Sequence, residues 1–265
     1  MKKFLALLMV VVLSLAMFAG CAKPSDNNKD NETTTETTKF DPSKKDEGTM
    51  TYSEFAAAEL NAKVVVEAFV QANQSWWEKD GKGVITVYAQ DLDGAYFLYE
   101  MACASQADAD KLTKGAKIKV TGYKAEWEGE VEIIDATYEL MEGSWVATAT
   151  DVTALLGTDD LIKHQNKFVA VKGATVAASK DKDGNDVAFL YNWDGSGQDG
   201  SDLYFNVTVG ENTYNFTVES YLCDKTTDVY TAVKNLKIGD KIDLEGFLYW
   251  YNGVNPHITA VTAAK

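Results

Sequence analysis

The chain has 265 residues, of which 40 are acidic and 25 are basic, so its formal net charge at pH 7 is −15. Every basic residue is a lysine, because the sequence contains no arginine. Arginine is the side chain that best recognises phosphate groups and guanine edges, so this composition disfavours nucleic acid as the main partner.

The chain begins with the pattern of a secretory signal peptide. Two lysines precede the apolar run Phe4–Ala19, which is short for a helix that spans a bilayer. The run leads into Phe-Ala-Gly-Cys, which resembles a bacterial lipobox. This resemblance implies removal of residues 1–20, lipidation of Cys21 and a location at the cell membrane, lipid-anchored on the extracytoplasmic face. The alternative is an ordinary secreted protein with a chance cysteine.

A polar segment follows the predicted signal. Residues 21–48 contain very few large apolar side chains and include the threonine-rich stretch Thr33–Thr38. Such a composition buries too little apolar surface to fold. We therefore expect a disordered tether that connects the membrane to two folded domains, at residues 49–143 and 150–265.

Alternating apolar and polar residues predict five strands in the first domain. A helical segment, Tyr52–Leu60, precedes them, and a second helix, Ser105–Lys114, lies between the third and fourth strands. The strands are expected at Lys63–Ala72, Val84–Gln90, Ala95–Met101, Ala116–Lys124 and Glu130–Tyr138. This order of elements is that of an OB-fold, a small Greek-key barrel.

The second domain repeats the first. Residues 85–103 align with residues 205–223 without a gap, and five positions from Leu112 to Gly129 recur from Leu236 to Gly253 at a constant spacing. Its strands are expected at Lys167–Ala177, Leu203–Val209, Thr213–Ser220, Lys241–Leu248 and Pro256–Val261, with a helix at Asp228–Leu236. The predicted fold class is all-β with short helices, arranged as two tandem OB-fold-like five-stranded barrels.

Two glycines mark equivalent positions of this repeat. Gly122 lies inside the fourth strand of the first domain, and Gly246 lies inside the fourth strand of the second. A glycine within a strong strand is typical of a bend or a bulge, which a small barrel needs in order to close. The main difference between the domains is the longer connection at residues 178–202 of the second one.

With its lipobox, its polar tether and its repeated pattern of strands and helix, the chain resembles tandem OB-fold lipoproteins of Gram-positive, clostridia-like bacteria. The resemblance covers almost all of the predicted folded region. It implies an OB-fold at the cell surface and no particular ligand, because this fold hosts unrelated activities.

The loops that border the ligand-binding face of an OB-fold are rich in aromatic residues here. The candidate ligand-binding residues are Trp76, Trp77, Trp127, Trp193, Tyr249, Trp250 and Tyr251. Flat aromatic faces beside carboxylates and amides suit sugar rings, and they suit peptides nearly as well. Trp250 is favoured, because strand alternation cannot bury three consecutive aromatic residues. The alternative is that these side chains plug the barrel ends or pack between the domains.

Catalytic and metal-binding patterns are weak. No nucleophile elbow, phosphate loop or zinc spacing is present. Glu130 and Glu132 alternate with apolar residues and are interpreted as a solvent-facing pair. The segment Asp181–Asp186 places oxygen ligands at alternate positions, but the twelfth position is Asn192 rather than glutamate, so hairpin turns are favoured over a calcium site. We expect no enzyme activity, no cofactor and no bound metal.

The two cysteines outside the lipobox, Cys103 and Cys223, occupy equivalent positions of the repeat. This equivalence disfavours a disulfide within either domain. Two buried free thiols are favoured over a bridge between the domains.

Together these observations predict a membrane-anchored lipoprotein that acts as a non-catalytic binding or adaptor module, for glycans or for extracytoplasmic protein partners. One alternative is extracellular binding of single-stranded nucleic acid through base stacking. Another is an accessory role to a hydrolase.

Overall fold

The structure, a computed structural model, describes residues 40–264. The predicted signal peptide at residues 1–20, the lipidation site Cys21 and most of the predicted tether lie outside the described residues. Across residues 40–264, no helix is both long enough and apolar enough to cross a membrane.

The first sheet closes on itself as a barrel. Its strands are β1 (Lys63–Asn73), β2 (Trp77–Lys79), β3 (Lys82–Gln90), β4 (Ala95–Ala102), β5 (Ala116–Trp127) and β6 (Glu130–Ser144). Strand β1 pairs with both β3 and β5, β3 pairs with β4, and β4 runs parallel to β6, which completes the ring by pairing with β5. The short strand β2 extends β3 as a hairpin outside the ring.

Two short helices accompany this barrel. Helix α1 (Tyr52–Ala57) begins at a capping box, in which Thr51 and Glu54 satisfy each other's backbone N–H groups. Helix α2 (Gln106–Ala109) lies between β4 and β5 and is capped by Ser105, as the sequence predicts. It is shorter than the expected helix, because the chain turns after Ala109 to bury Leu112 in the barrel.

The second sheet has the same ring of pairings. Its main strands are β8 (Phe168–Ala177), β12 (Leu203–Val209), β13 (Asn212–Val218), β14 (Lys241–Phe247) and β15 (His257–Ala263), after the short β7 (Thr150–Asp151). Strand β8 pairs with β12 and β14, β12 pairs with β13, and β15 joins β13 to β14. Helix α3 (Asp228–Lys234) lies between β13 and β14. The predicted OB-fold class is confirmed.

The long connection at residues 178–202 forms local pairings of its own. Strands β9 (Ser179–Lys180) and β10 (Asp186–Val187) make a small hairpin, and β11 (Leu190–Tyr191) adds to the edge of β12. The apolar run Val187–Tyr191 within this connection is divided between β10 and β11.

Both repeat glycines lie at irregularities of strand pairing. The register of β5 against β6 shifts between Thr121 and Tyr123, and that of β14 against β15 shifts between Glu245 and Gly246. A Cβ atom on Gly122 would lie 2.6 Å from Ile133 Cγ2, and one on Gly246 would lie 2.2 Å from the carbonyl oxygen of His257. The predicted bulges are present, and neither leaves room for a side chain.

Each barrel encloses its own hydrophobic core, and a third apolar cluster lies between the barrels. The third cluster contains Tyr88 and Phe97 of the first barrel and Phe247 of the second, all almost fully buried. Partly buried Phe168 and Tyr249 pack around it. The two barrels are thus joined through an apolar contact.

The end of the segment assigned to the tether packs against the first barrel. Phe40 meets Phe69 edge to face, with ring centroids 6.0 Å apart. The ammonium group of Lys45 lies 2.5 Å from the buried carboxylate of Asp91. The polar composition of residues 40–48 predicts that they belong to the tether. Composition does not show that the ring of Phe40 and the ion pair of Lys45 hold this stretch on the folded surface.

Candidate functional site

The second barrel covers the outer surface of strands β3 and β4. The ring of Tyr88 stacks on Phe247 with centroids 4.5 Å apart, and its hydroxyl lies 2.7 Å from Nδ1 of His257. Phe97 meets Tyr249 edge to face at 5.2 Å. This surface carries the ligand in many OB-folds, so in the first barrel most of it is occupied by the neighbouring barrel.

A cleft of about 520 Å³ opens beside this contact. Strands β4, β5, β6 and β12 and the connection between β14 and β15 contribute most of its walls. The lining residues are Gln74, Phe97, Tyr99, Trp127, Glu132, Tyr204, Glu219, Tyr249, Tyr251, Asn255 and His257. A concave site of this size with aromatic walls and a few polar groups is typical of a small-ligand site.

The two most open rings of the cleft occupy equivalent positions of the repeat. Trp127 is 58% exposed and Tyr251 is 51% exposed. They stand 124 positions apart in the sequence, the spacing of the repeat. The duplication therefore supplies an aromatic face to the same cleft from each barrel.

Glu219 is held rigidly at the edge of the cleft. It follows β13, and its carboxylate accepts hydrogen bonds from Gln74 Nε2 at 3.0 Å and from the backbone N–H groups of Tyr221 and Leu222. Burial raises the pKa of Glu219 to about 7, although these donors oppose the shift. The carboxyl group is thus fixed in place while its charge varies near neutral pH.

Glu132 is the second carboxyl group of the cleft, and it has no such donors. The residue is 9% exposed. Within residues 40–264, no side chain or backbone N–H donates a hydrogen bond to it, and no lysine pairs with it. Burial raises the pKa of Glu132 to about 7, and the negative charge of Glu100 adds to this shift.

Glu130 lies between the barrels and is fully buried. Its Oε2 accepts from the backbone N–H of Trp250 at 2.9 Å and from Gln165 Nε2 at 3.2 Å. Burial raises the pKa of Glu130 to about 8. The interpretation of Glu130 and Glu132 as solvent-facing is wrong: alternation places both on the outer face of β6, but the second barrel covers that face.

His257 contributes to the cleft as a neutral ring. Burial lowers its pKa to about 3, so the imidazole carries no charge at neutral pH. It stacks on Tyr249 with centroids 4.3 Å apart while Nδ1 meets the Tyr88 hydroxyl. The charge of the cleft therefore comes from its carboxyl groups alone.

An uncharged polar surface continues from the cleft along the outer face of β12 and β13. Its side chains are Tyr204, Asn206, Thr208, Thr213, Asn215 and Thr217. Asn215 donates to Asn206 at 2.9 Å, and Thr217 donates to Asn255 at 2.8 Å. We call this surface the Asn/Thr face. Thr217 is buried at its cleft end, but Thr213 and Asn215 are exposed, so in contrast to the equivalent face of the first barrel most of it is open.

The predicted site residues divide into two groups. Trp127, Tyr249 and Tyr251 line the cleft together. Trp77 is exposed on β2, and Trp193 is exposed in the 178–202 connection; neither lines the cleft.

The other two predicted tryptophans pack against the barrels. Trp76 covers the core of the first barrel and donates its indole N–H to the carbonyl oxygen of Cys103 at 2.9 Å. Trp250, favoured from the sequence, packs on the core of the second barrel and does not line the cleft. These two tryptophans therefore cover the barrel cores and do not line the cleft.

The acidic turn and the cysteines have local structural roles. Asp181 accepts from the backbone N–H groups of Asp183 and Asn185, which closes the turn between β9 and β10. Within the described residues, no group of three or more side chains is placed to hold a metal ion. Cys103 and Cys223 are both buried and free, and burial raises the pKa of the Cys223 thiol to about 11.

No protein-family model matches this chain, and a comparison with curated proteins finds no significant match. Solved structures with a similar arrangement include the HINa domain of Ifi202 in complex with a 20-bp double-stranded DNA, at 13% identity and a TM-score of 0.33, covering 77% of this chain and 100% of that one. The single-stranded DNA binding protein from Thermus aquaticus is 13% identical with a TM-score of 0.26, covering 78% and 95%.

A replication protein A heterotrimer bound to single-stranded DNA is also similar. It is 10% identical with a TM-score of 0.33, and the match covers 79% of this chain and 51% of that chain. At such identities the likeness concerns the fold alone.

Proposed function

We propose that this chain is a membrane-anchored, extracytoplasmic binding module without catalytic activity, and that its cleft holds a glycan. The cleft carries this proposal. It presents the open rings of Trp127 and Tyr251 beside buried carboxyl groups and partly buried amides. Sugar rings offer an apolar face for stacking and hydroxyl groups for hydrogen bonding, so they match both features.

The Asn/Thr face supports a ligand of more than one sugar unit. It begins at Tyr204 in the cleft and continues to Thr208 and Thr213 at the far end of β12 and β13. Its amides and hydroxyls both donate and accept hydrogen bonds, as sugar hydroxyls do. An oligosaccharide stacked in the cleft would therefore find further partners along this face.

The proposed anchor accounts for the N-terminal sequence. The lipobox at Cys21 and the polar stretch after it suit a folded module held at the outer surface of a membrane by a flexible leash. A module tethered in this way would also suit binding of an extracytoplasmic protein partner. The glycan is preferred because the cleft is concave and of small-molecule size.

The test is a calorimetric titration with cell-wall fragments and oligosaccharides. Replacing Trp127 or Tyr251 by alanine is expected to weaken binding about tenfold, because each change removes one aromatic stacking contact. Trp193→Ala is the matched control, since Trp193 is 75% exposed and lies outside the cleft. Absence of binding, or equal losses in all three variants, would contradict the proposal. Shortening of the oligosaccharide on long incubation would contradict its non-catalytic part.

A second candidate is binding of single-stranded nucleic acid. The observation that favours it is the pair of open rings, on which bases stack without regard to sequence. The acidic, arginine-free composition and the absence of lysine from the cleft lining oppose it. Titration with oligonucleotides at rising salt concentration tests this candidate. Binding through phosphates should weaken steeply with ionic strength, and no binding at low salt would contradict it.

A further inference from the structure

The walls of the cleft carry negative charge without any positive charge. Glu132 and Glu219 are its two carboxyl groups, His257 is neutral, and none of its lining residues is a lysine. Glu100, which lies near Glu132, is already paired with Lys79, whose ammonium group also lies 6.0 Å from the ring centroid of Tyr99 at the cleft wall. A ligand that enters the cleft therefore meets unbalanced carboxyl groups.

Glu132 lacks a partner in the described structure. It is nine-tenths buried, it lines the cleft, and no donor within residues 40–264 reaches its carboxylate. A buried carboxyl group without a hydrogen-bond donor is costly to ionise. Glu219, by contrast, has three N–H donors. The group that Glu132 lacks is a hydrogen-bond donor, and a charged donor would satisfy it best.

The aromatic walls also favour a cation. Trp127, Tyr249 and Tyr251 line the same cleft as Glu132, although His257 covers one face of the Tyr249 ring. The negative faces of such rings attract ammonium groups, and this attraction increases when water is excluded. The carboxyl groups and the ring faces thus both attract a cation.

We propose that the cleft selects a ligand that carries a positively charged amine, which pairs with Glu132 and lies against the aromatic walls. This inference rests on the proposed function, since it names the chemistry of the ligand that the glycan site prefers. The ligand class is an amine-bearing sugar rather than a neutral or acidic one.

Binding of such a ligand is coupled to a proton. Burial raises the pKa of Glu132 to about 7, so near neutral pH the empty site is partly protonated. An ammonium group pairs with the ionised form, and binding therefore releases a proton and strengthens as pH rises from about 6 to 8. The other ionisable groups near Glu132 are Tyr99, Glu100, Glu130, Glu219, Tyr249 and His257, of which Glu219 and Glu130 titrate in an overlapping range.

The experiment compares methyl 6-amino-6-deoxyglucoside with its N-acetylated counterpart on the full mature chain. The two probes share one sugar: the first carries an amine that stays protonated throughout this pH range, and the second carries a neutral and larger acetamide. The Glu132→Gln variant separates the effect of charge from that of size. The amine is expected to bind at least about tenfold more tightly, as for one added charge-assisted hydrogen bond. Glu132→Gln should bring the ratio close to one, whereas Glu126→Gln, at an exposed site outside the cleft, should leave it unchanged.

Calorimetry of the unmodified chain in two buffers of different ionisation enthalpy provides a measurement that needs no variant. Uptake of the amine near pH 7 should release a fraction of a proton, and uptake of the N-acetylated probe should not. Equal affinity for the two probes, amine binding without proton release, or a preference that survives in Glu132→Gln would overturn the inference. If neutral oligosaccharides bind and the amine brings no gain, only the inference fails; if no sugar binds, the proposed function fails as well.

Discussion

Three buried glutamates give this molecule its most unusual side-chain chemistry. Burial raises the pKa of Glu130 to about 8 and the pKa values of Glu132 and Glu219 to about 7, from an ordinary value of 4.5. In each case the folded state binds the proton more tightly than the unfolded state. Their contribution to stability is therefore complete below about pH 4.5 and is lost as pH rises through 7 to 8.

The unfolding free energy is accordingly expected to fall between pH 5 and pH 8.5. Glu132→Gln should flatten part of this fall and leave the protein about 1 to 2 kcal/mol more stable than the wild type at pH 8, because the amide has no charge to bury. Urea denaturation across this pH range measures the effect. The exposed residue Glu126 provides the control, since Glu126→Gln should follow the wild-type curve. Parallel curves for wild type and Glu132→Gln would show that Glu132 ionises as freely as a surface carboxylate.

The sequence identifies some cleft residues and misses others. Trp127, Tyr249 and Tyr251 could be found because aromatic residues in hairpins stand out against polar neighbours. Glu132 and Glu219 could not, because strand alternation shows which face a side chain lies on and does not show what covers that face. Phe97 and Tyr99 had a usable signal: they alternate with the buried Tyr96 and Leu98, so β4 has aromatic residues on both faces.

Strands β5 and β14, the fourth strands of their barrels, each depend on one glycine. Gly246→Ala would place a Cβ 2.2 Å from the carbonyl oxygen of His257, a backbone atom that cannot move without breaking the pairing of β14 and β15. We expect a loss of about 2 to 3 kcal/mol in unfolding free energy. Chemical denaturation measures it.

Gly210→Ala is the control for that substitution. Gly210 has a positive φ of 62° and no atom within 4 Å of an added Cβ, so alanine there brings backbone strain without a clash. The expected loss is about 1 kcal/mol. Should Gly246→Ala be no worse than Gly210→Ala, crowding at the bulge would not be the reason for glycine at this position.

The ring-forming strands are the elements that the sequence predicts best. Their alternation is local, and the repeat lets each copy confirm the other. Elements held by contacts distant in sequence are predicted worst. Helix α2 is cut short by the burial of Leu112, and β2 exists only as an extension of β3. Residues 40–48 keep their place through contacts with Phe69 and Asp91, which no local pattern indicates.

At the scale of the whole molecule, the apolar contact between the barrels determines the cleft. Phe247 is nearly fully buried between Tyr88 and Phe168. Phe247→Ala is expected to reduce the unfolding free energy by about 3 to 5 kcal/mol. Because the cleft depends on this contact, affinity for the proposed glycan should fall together with stability.

Solution X-ray scattering and thermal unfolding check this prediction. Loosening of the contact should enlarge the radius of gyration and separate the unfolding of the two barrels into two steps. Tyr221→Ala, at a side chain that is 71% exposed, should change neither property. A single unfolding step with unchanged dimensions in Phe247→Ala would mean that hydrogen bonds such as Phe168 N–H to Gln90 hold the barrels together without the ring.

The covered face of β3 and β4 has a consequence for stoichiometry. Two barrels that descend from one repeat would offer two equivalent ligand faces. In residues 40–264 the face of the first barrel packs against the second barrel, whereas the cleft and most of the Asn/Thr face stay open. The proposed binding module would therefore be monovalent. If the proposed anchor holds many copies on one membrane, strong attachment to a polymeric ligand would come from their density, since avidity arises when several such sites engage one polymer at once.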